Sequence, residues 1–446
     1  MARSSTSPWR IILPAGLGTA LSLVGDSSIY TVLPTHTAVA GVTLVSVGIL
    51  LSANRFIRII ANSVAGWTSD RLSKRLVFVF SLFLGAFSTA VYGLSYGFSW
   101  LLLGRLLWGI AWAGIWVAGN GLILDSAPAS ERGRWVGRYH FFFFLGAAIG
   151  AFLGGYLTDR IGYHNAMIAA ALLGLSGALA ALFFLPAAQP ALTAEPVDAE
   201  PVEAPPATRH SAPVSPNKKL NNWAELLSAT AVQGFNRLVV AGILTSTFAL
   251  FLRDMLGENI DIRGTIIGVA TVTGILSGTR IILGMVFTPA IGSLSDRAAS
   301  RWQVVAGGLL PGIAGFALLA INLPLAMLLG LPLTSITTTS NQSLSTALIG
   351  DLGQRRQHGR YLGLLYTVGD LGSAIGPLLA FALLPLWGIT GLYWLNAILF
   401  GLLLIVALFW ARRKQGPISE KRHQITAPFT SDHSPDQEKK SPDEMT

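Results

Sequence analysis

The chain has 446 residues, of which 52% are hydrophobic and 12% charged, and its mean hydropathy is +0.57. This composition excludes a soluble globular protein, although the length alone would accommodate about three soluble domains. The formal net charge of +9 fits either a nucleic-acid partner or a membrane protein with basic loops, and the positions of the basic residues distinguish these classes.

Twelve apolar runs follow one another along the chain, each of roughly 20 residues and long enough to cross ~30 Å of hydrocarbon as a helix. They lie near 10–34, 41–65, 76–96, 100–124, 138–158, 165–186, 226–252, 264–291, 303–322, 324–350, 361–386 and 389–411. We therefore predict an all-α integral membrane protein with twelve transmembrane helices.

Lysine and arginine cluster on one side of these predicted helices. They follow the second, fourth, eighth, tenth and twelfth runs and precede the seventh, whereas the connections THTAVA, SYGFSW and INLP contain neither residue. The positive-inside rule therefore places both termini and the basic loops in the cytoplasm. This distribution argues against nucleic-acid binding and predicts a multi-pass protein of the plasma membrane, the inner membrane in a bacterium.

The N-terminal segment resembles a secretory signal, because it begins with basic residues and has small residues at positions 38–40. Its apolar run is longer than the ~7 to 15 residues of a signal core and further runs follow, so we predict an uncleaved first helix. Cysteine is absent, the histidines have no metal-ligand spacing and no Walker loop is present. The sequence therefore predicts no metal site, no cofactor and no nucleotide-driven transport.

Two segments differ in composition from the membrane-spanning runs. Residues 187–222 are rich in proline, alanine and acidic residues, which predicts a flexible cytoplasmic linker between an N-terminal bundle, 1–186, and a C-terminal bundle, 223–411. Residues 412–446 are polar and are predicted to be a disordered cytoplasmic tail. A regulatory role for the linker or the tail is the alternative to a plain tether and tail.

A shift of the sequence against itself by 226 positions brings many polar and glycine residues into register. The matched sets are Gly66, Ser69, Asp70, Arg71 and Arg75 with Gly292, Ser295, Asp296, Arg297 and Arg301; Asp125, Gly133, Arg134 and Gly137 with Asp351, Gly359, Arg360 and Gly363; and Gly146 and Gly150 with Gly372 and Gly376. Parallel repeats of this size in an apolar chain predict a transporter whose substrate site lies between two halves.

The repeated motif also resembles that of a known family. GWTSDRLSKR at 66–75 is similar to the loop between helices 2 and 3 of the major facilitator superfamily, although position 73 is serine where the family often has glycine. RLLWG at 105–109 and ERGRWVG at 131–137 resemble the motifs of its fourth helix and the following loop. The resemblance covers both halves, and implies two pseudo-symmetric six-helix bundles in a monomeric transporter similar to drug:proton antiporters.

The resemblance further implies that the two loop motifs act as gates. Asp70 is expected to face the N-terminus of a helix in the other half, where the helix dipole favours a carboxylate. Asp125 is expected to join Arg71 and Lys74 in one charge cluster, and solvated loop charges are the alternative. The predicted gating residues are Gly66, Asp70, Arg71, Lys74, Arg75, Asp125, Gly292, Asp296, Arg297 and Asp351.

The fifth helix bears on the direction of transport, because exporters of this superfamily often have a Gly-Pro motif there. This chain has Ala151 where proline is usual, and Pro377 at the duplicate position in the eleventh helix. Gly146, Gly150 and Gly154 recur at four-residue spacing, which predicts close helix packing between the halves.

Seven charged residues lie inside the predicted spans, where each costs ~2.5 kcal/mol or more and therefore marks a pathway or an internal pair. They are Asp26, Arg55, Arg58, Arg105, Arg237, Arg280 and Asp370. Asp26 and Arg105 lie at a similar depth, at ~1.5 Å per residue, on helices that line the cavity in the resembled family. We predict that they form a pair whose carboxylate takes up and releases a proton, with a static ion pair as the alternative.

Depth along the helices also suggests partners for the second carboxylate, Asp370. Arg55 and Arg280 lie at comparable depth, and Arg55 is favoured because helices 2 and 11 are neighbours in the resembled family. Arg58 is expected to extend its side chain to the inner surface.

The fourth predicted helix has an aromatic stripe on one face, where residues recur at three- and four-residue intervals: Arg105, Trp108, Trp112, Trp116 and Asn120. This stripe predicts a cavity wall for amphipathic or aromatic molecules, and the tenth and seventh helices contribute hydrogen-bonding groups. The candidate cavity residues are Tyr30, Trp108, Trp112, Trp116, Asn120, Gln233, Asn236 and Asn341. Packing against neighbouring helices or lipid is the alternative for the tryptophans.

These observations predict a secondary active transporter, and not an enzyme, that works by alternating access and exports small amphipathic organic compounds with proton coupling. Its partners are a small-molecule substrate, protons and the lipid bilayer. The alternative is proton-coupled uptake of an organic anion, because the spans contain five arginines and two carboxylates. A non-transporting scaffold or receptor is a more distant alternative.

Overall fold

The computed structural model describes residues 8–128, 131–186, 216–262, 264–298, 300–352 and 358–414. The first bundle consists of α1 (Trp9–Val32), α2 (Leu44–Arg71), α3 (Lys74–Leu94), α4 (Phe98–Ser126), α5 (Arg132–Ile161) and α6 (Tyr163–Phe184). A one-turn helix, Thr37–Ala40, lies between α1 and α2.

The second bundle begins with α7, which is α-helical over Pro216–Asn236, π-helical over Arg237–Leu244 and α-helical again over Thr245–Leu256. The next helices are α8 (Val269–Arg297), α9 (Arg301–Ala320) and α10 (Pro324–Leu352). The last two, α11 and α12, lie in the stretch His358–Lys414 and are separated at Gly388, whose φ of 63° and ψ of −178° are not helical.

The described helices account for twelve membrane crossings. Ten helical stretches are long and apolar enough to span a membrane, and one of them, Tyr361–Arg413, contains both α11 and α12. The remaining helix, α10, is less apolar because threonine, serine and asparagine fill the sequence TTTSNQS in its middle. The predicted twelve-helix membrane fold is confirmed.

A two-stranded hairpin precedes α8, at the point where the sequence predicts the start of the eighth helix. Strand β1 (Asn259–Ile262) pairs antiparallel with β2 (Thr265–Gly268), and the helix begins only at Val269. Gly264 has a φ of 84°, and its N–H donates to the carboxylate of Asp261 at 2.7 Å. Hydropathy did not separate this strand from the helix because a short apolar run fits either structure.

Several helices extend beyond the apolar runs from which they were predicted. α2 continues to Arg71 and not to 65, α5 begins at Arg132 and not near 138, and α7 begins at Pro216, ahead of the predicted domain boundary at 223. Hydropathy marks the part of a helix inside hydrocarbon, whereas the helix itself continues into the polar interface. Residues 187–215 and 415–446, which include most of the predicted linker and tail, lie outside the described residues.

Glycines on α5 allow close packing within the first bundle. Gly146 lies against Ala20, and Gly150 and Gly154 lie against the next two turns of α1, so a Cβ at these positions would overlap α1 backbone. The predicted small-residue packing is therefore present, but it joins two helices of the same half and not the two halves.

We call the end of the bundles that bears Arg71 and Arg132 the basic face, and the end that bears the hairpin the opposite face. In the half of the molecule nearer the opposite face, Gly155 of α5 lies against Ala270 of α8, and Gly274 of α8 lies against Ala151. The two bundles therefore touch along α5 and α8 close to the opposite face.

An apolar cluster seals the same end of the molecule. Ile29, Val47 and Leu51 of the first bundle pack in one buried cluster with Leu250 and Phe381 of the second. The other large clusters lie each within a single bundle. The contacts that join the halves are thus concentrated near the opposite face.

Candidate functional site

The predicted intramembrane charges all lie within the helices, away from both faces. Six of the seven form a group that we call the charged layer, which consists of Asp26, Arg55, Arg58, Arg105, Arg237 and Asp370. The seventh, Arg280, donates to the hydroxyl of Thr245 at 3.0 Å.

Asp26 and Arg105 form an ion pair, with Nη1 of Arg105 2.7 Å from Oδ1 of Asp26. The guanidinium also donates from Nε to the carbonyl of Leu50 at 3.2 Å. The Arg105 side chain is 1% exposed and that of Asp26 is 18% exposed. The arginine is therefore fixed inside the bundle, whereas the carboxylate is partly exposed, and its role in proton coupling stays a prediction.

The hydroxyl of Tyr30 connects this pair to Arg55. It accepts from Nη2 of Arg105 at 3.1 Å and from Nε of Arg55 at 3.0 Å, and it donates to the carbonyl of Leu51 at 3.1 Å. One phenol group thus uses both acceptor positions and its donor. Tyr30, predicted as a cavity residue, is an organising group of the charged layer.

Asp370 lies between Arg58 of the first bundle and Arg237 of the second. Its Oδ2 is 3.5 Å from Nη2 of Arg58, and its Oδ1 is 3.8 Å from Nη2 of Arg237. The structure therefore corrects the predicted pairing of Asp370 with Arg55 or Arg280. It also corrects the expectation that Arg58 extends to the inner surface, because this side chain is 17% exposed and points at a carboxylate.

The predicted and observed partners of Asp370 differ because α2 ends later than its apolar run. Measured from Arg71, Arg58 lies about 20 Å along the helix and Arg55 about 24 Å, while Asp370 lies about 18 Å from the start of α11. Arg58 is therefore the residue level with Asp370, and the depth estimate failed because the apolar run ended too early.

The π-helical segment of α7 begins at Arg237, at the level of the charged layer. Such segments are rare and often occur at functional sites. Gly242 in this segment lies against Gly376 of α11, and a Cβ on either would overlap the backbone of the other. The irregular turn and this close crossing bring Arg237 next to Asp370.

The tryptophan stripe of α4 packs inside the first bundle. Trp108 and Trp112 stack at 6.2 Å between ring centroids, and Trp112 and Trp116 at 5.6 Å. Trp116 also stacks on His140 of α5 at 4.9 Å, and the ring of Trp108 lies against Gly85 of α3. These contacts are all made within the first bundle, and only Trp116 of the three is partly exposed.

Asn120, one turn further along α4, donates to the carbonyl of Trp116 at 2.8 Å and lies 3.2 Å from the ring nitrogen Nε2 of His140. The structure therefore gives the stripe a packing role. A role in substrate binding stays a prediction for Trp116 and Asn120, which are partly exposed, and is not supported by the contacts of Trp108 and Trp112.

Buried amides in the second bundle lack hydrogen-bond partners. Asn236 donates to the carbonyl of Thr338 at 3.2 Å, but its oxygen, the oxygen of Gln233 and both polar atoms of Asn341 have no partner among the described residues. Gln233 lies against Gly369, next to Asp370, whereas Asn341 lies beside Gly308 of α9. Gln233 therefore belongs to the neighbourhood of the charged layer, and Asn341 is directed into the second bundle.

At the basic face, the loop between α2 and α3 is fixed by contacts within the first bundle. Nζ of Lys74 is 2.5 Å from Oδ2 of Asp125, as the predicted cluster requires. Arg71 does not join them and instead stacks on the ring of Trp67 at 4.2 Å. Ser73 accepts the N–H of Leu76 at 3.1 Å and caps α3, which gives the departure from the family motif a local role.

Arg75 links the start of α3 to the end of α6, since it donates to the carbonyls of Leu182 and Leu185 at 2.6 and 2.7 Å. Asp70 is exposed and has no hydrogen bond to a described residue, and no atom approaches Gly66 closely. Residues 353–357, which precede α11, lie outside the described part of the chain. The Asp70 gate therefore stays a prediction.

The second-half gate is described only in part. Arg297 is exposed at the end of α8. The surroundings of Gly292 and the side chains of Asp296 and Asp351 lie outside the described residues, so their predicted roles stay predictions.

A carboxylate contact between the halves at the opposite face was also not predicted from the sequence. Oδ2 of Asp159, in the last turn of α5, accepts the backbone N–H of Thr271 at 2.7 Å and its hydroxyl at 2.6 Å. Thr271 lies in the first turn of α8, so a carboxylate of one half meets the positive end of a helix of the other. This is the contact expected for Asp70, found at the opposite face. The available signal was an acidic residue at the end of an apolar run.

Charged groups near His36 complete the opposite face. Nη1 of Arg253 donates across the halves to the carbonyl of Thr35 at 3.4 Å. Burial lowers the pKa of His36 and Arg253 acts in the same direction, whereas Asp159 acts against it. The neutral imidazole is therefore favoured while the halves are in contact here.

Comparison with known proteins agrees with this architecture. A model of the Major Facilitator Superfamily matches residues 15–265 and 239–435. The chain is 25% identical over 407 residues to the class B tetracycline resistance protein of Escherichia coli, which covers 87% of this chain and 92% of that protein. It is 27% identical over 140 residues to the quinolone resistance protein NorA of Staphylococcus aureus, covering 31% of this chain and 36% of NorA.

Among solved structures, the fold is similar to that of a bacterial homolog of the human lysosomal transporter Spinster. The TM-score is 0.72 at 16% sequence identity, and the match covers 91% of this chain and 98% of that one. The family match over most of the sequence, together with two six-helix bundles around a charged layer, shows that the chain belongs to the major facilitator superfamily and is a multi-pass membrane transporter resembling its drug:proton antiporters.

Proposed function

We propose that the protein exports small amphipathic organic compounds across the plasma membrane in exchange for protons. It works as a monomer by alternating access, in which the bundle within 1–186 rocks against the bundle within 223–411. With the basic face in the cytoplasm, as the positive-inside rule requires, both termini are cytoplasmic. In a bacterium this membrane is the inner membrane.

The charged layer is the observation that carries this proposal. Asp26 is partly accessible and pairs with a guanidinium that is fully buried, so motion between the helices can change the distance between the two charges. Buried charges in a membrane are costly and are retained where a pathway needs them. The layer also includes groups from both bundles, because Arg58 and Asp370 form an ion pair across the interface.

The contacts between the bundles support the alternating-access part of the proposal. The apolar cluster of Leu51 with Phe381, the crossing of Gly155 with Ala270 and the Asp159 contact all lie between the charged layer and the opposite face. No hydrogen bond joins described residues of the two bundles between that layer and the basic face. This arrangement corresponds to a state closed to the outside, and export requires these contacts to open.

The direction of transport is supported by the similarity to two resistance proteins, one for tetracycline and one for quinolones. The arginine excess that motivated the uptake alternative concerns the charge of the substrate and not the direction of its movement.

The proposal is tested in everted membrane vesicles with an imposed pH gradient and a dye that reports it. Adding a transported compound is expected to dissipate the gradient with the native protein. Asp26→Asn is expected to abolish this response at normal abundance, because the site can no longer exchange a proton. Asp261→Asn in the exposed hairpin turn is the matched control and is expected to behave like the native protein.

Drug accumulation in cells lacking their own efflux pumps provides the second measurement. Expression is expected to lower accumulation of an amphipathic fluorescent compound, and a protonophore to restore it. Accumulation of an organic anion without any resistance phenotype would contradict export, and an unchanged proton response in Asp26→Asn would contradict its role in coupling.

A further inference from the structure

The charged layer contains more positive than negative charge. Its four guanidinium groups and two carboxylates leave a formal charge of +2, and belong to Arg55, Arg58, Arg105 and Arg237 and to Asp26 and Asp370. A net charge at this depth is unfavourable unless a counter-charge is bound for part of the cycle.

The arginines of the charged layer differ in how many hydrogen-bond acceptors they have. Arg105 is satisfied, because Asp26, Tyr30 and the carbonyl of Leu50 all accept from it. Arg55 donates to the Tyr30 hydroxyl, and no carboxylate among the described residues pairs with it. The excess positive charge therefore lies on Arg55, Arg58 and Arg237 and not on Arg105.

Arg58 and Arg237 share a single carboxylate at long distances. Asp370 is 3.5 Å from one and 3.8 Å from the other, so it makes a short hydrogen bond with neither. The Nε atoms of both arginines are buried and have no acceptor among the described residues. Arg55 lies close enough to Arg237 for the two charges to interact. Two guanidinium groups, one from each bundle, thus share one acidic group, and Arg55 adds a third positive charge near Arg237.

An unpartnered amide lies beside the same place. Gln233 is 1% exposed, its oxygen has no partner among the described residues, and it is one turn from Arg237. Its side chain lies against Gly369, next to Asp370. A buried amide without a partner is destabilising unless something else binds it. Because an amide oxygen only accepts, that of Gln233 can take a hydrogen bond from a neighbouring guanidinium group but not from a substrate carboxylate.

We propose that the charged layer binds a carboxylate group of the substrate between Arg58 of the first bundle and Arg237 of the second, with Arg55 contributing charge. The planar guanidinium fork matches a carboxylate with two parallel hydrogen bonds. Asp370 then acts as a resident counter-ion, which partly neutralises the arginines when no substrate is bound and repels the incoming carboxylate. This assignment rests on the proposed transport function and names the class of substrate, an amphipathic organic acid.

The test measures binding to the full-length protein in nanodiscs, without any gradient. The probes are 4-(1-pyrenyl)butyrate, its methyl ester and the trimethylammonium analogue of the same length, detected by energy transfer from tryptophan to pyrene against empty nanodiscs. We expect the carboxylate to bind roughly tenfold or more tightly than either analogue, as two charge-assisted hydrogen bonds predict. Equal binding of the three probes, tighter binding of an analogue, or binding of none would overturn the proposal.

Variants separate a binding role from a structural one. Arg58→Gln and Arg237→Gln are each expected to weaken carboxylate binding about tenfold and to leave ester binding within about twofold. Arg280→Gln removes a buried arginine whose one hydrogen bond to a described residue is to the hydroxyl of Thr245; it is the matched control and is expected to keep the preference. Loss of the preference in this control, with the same melting temperature, would count against the assignment.

Asp370→Asn gives the most discriminating result. Removing a like charge is expected to tighten carboxylate binding about threefold or more, whereas a purely structural ion pair predicts weaker binding or less folded protein. If the arginine variants fail to fold, the proposal is still tested by the native protein's preference for the carboxylate probe and by the effect of Asp370→Asn on carboxylate binding. If the protein prefers the carboxylate probe but shows no proton-driven transport, only the proposed function is contradicted. If it transports but shows no such preference, only the proposed carboxylate site is contradicted.

Discussion

Replacing Asp159 by asparagine tests whether its contact with α8 holds the opposite face closed. The asparagine oxygen can still accept from Thr271, so the substitution removes the charge and leaves an acceptor in place. A carboxylate at a helix N-terminus contributes about 0.3 to 1 kcal/mol, and charge makes hydrogen bonds about twice as strong. Because Asp159 is exposed to solvent, we take a loss of about 1 kcal/mol, which is a roughly fivefold shift toward the open state.

The absence of cysteine from the chain makes this shift measurable. Val45→Cys at the start of α2 and Leu386→Cys at the end of α11 place two exposed labels on different bundles at the opposite face. Double electron–electron resonance between spin labels at these positions reports closed and open populations as short and long distances. Asp159→Asn is expected to increase the long-distance fraction about fivefold at low salt and less at high salt.

The control for this experiment is Asp254→Asn, which removes an exposed carboxylate from the end of α7 at the same face. Thr271→Val removes one of the two hydrogen bonds and is expected to shift the population in the same direction as Asp159→Asn, by a smaller factor. An unchanged distance distribution in folded Asp159→Asn, or an equal shift in Asp254→Asn, would refute the idea that the Asp159 contact holds the opposite face closed.

Three further predictions follow from described contacts. Burial lowers the pKa of His36, so the open state binds a proton more readily. Lowering the pH from about 7.5 to about 5.5 should therefore increase the open fraction measured with the spin labels, and His36→Gln should remove that response. Tyr30→Phe leaves two arginine donors without their acceptor and should reduce the free energy of unfolding by about 1 to 3 kcal/mol, measured by thermal unfolding. The control, Tyr163→Phe, removes a buried hydroxyl without a described partner and should leave the free energy of unfolding almost unchanged. Gly155→Ala inserts a methyl group into the crossing of the bundles and should slow transport at normal abundance. The control, Gly137→Ala, lies where no described atom is close and should transport like the native protein. Equal transport rates in the two variants would contradict the tight crossing.

The sequence predicted the fold well because membrane helices are encoded by local composition. All twelve crossings correspond to apolar runs in the sequence, including the more polar α10 and the two helices separated at Gly388. The pairing of Asp26 with Arg105 was also predictable, since both residues lie well inside their helices and depth could be counted from either end. Errors in helix ends affected the pairing of Asp370, because an error of six residues corresponds to about 9 Å.

Features that depend on how helices are rotated or on the other bundle were not predictable in this way. Trp108 and Trp112 have the same spacing whether they face a cavity or a neighbouring helix, and here they face α3 and α5. Asp159 looks like any acidic residue at a helix end, and its partner is the backbone of a helix more than a hundred residues later in the chain. Hydropathy and helical periodicity contain no information on such contacts.

The positive charge of the layer also makes the transporter sensitive to the membrane potential. A charge that passes from contact with one aqueous phase to contact with the other changes its energy by about 2.3 kcal/mol for each 100 mV. An inside-negative voltage therefore draws the substrate-free layer toward the state open to the cytoplasm. Under the proposed carboxylate binding, the bound substrate reduces this charge and the outward step is opposed less strongly, so the voltage favours the proposed export.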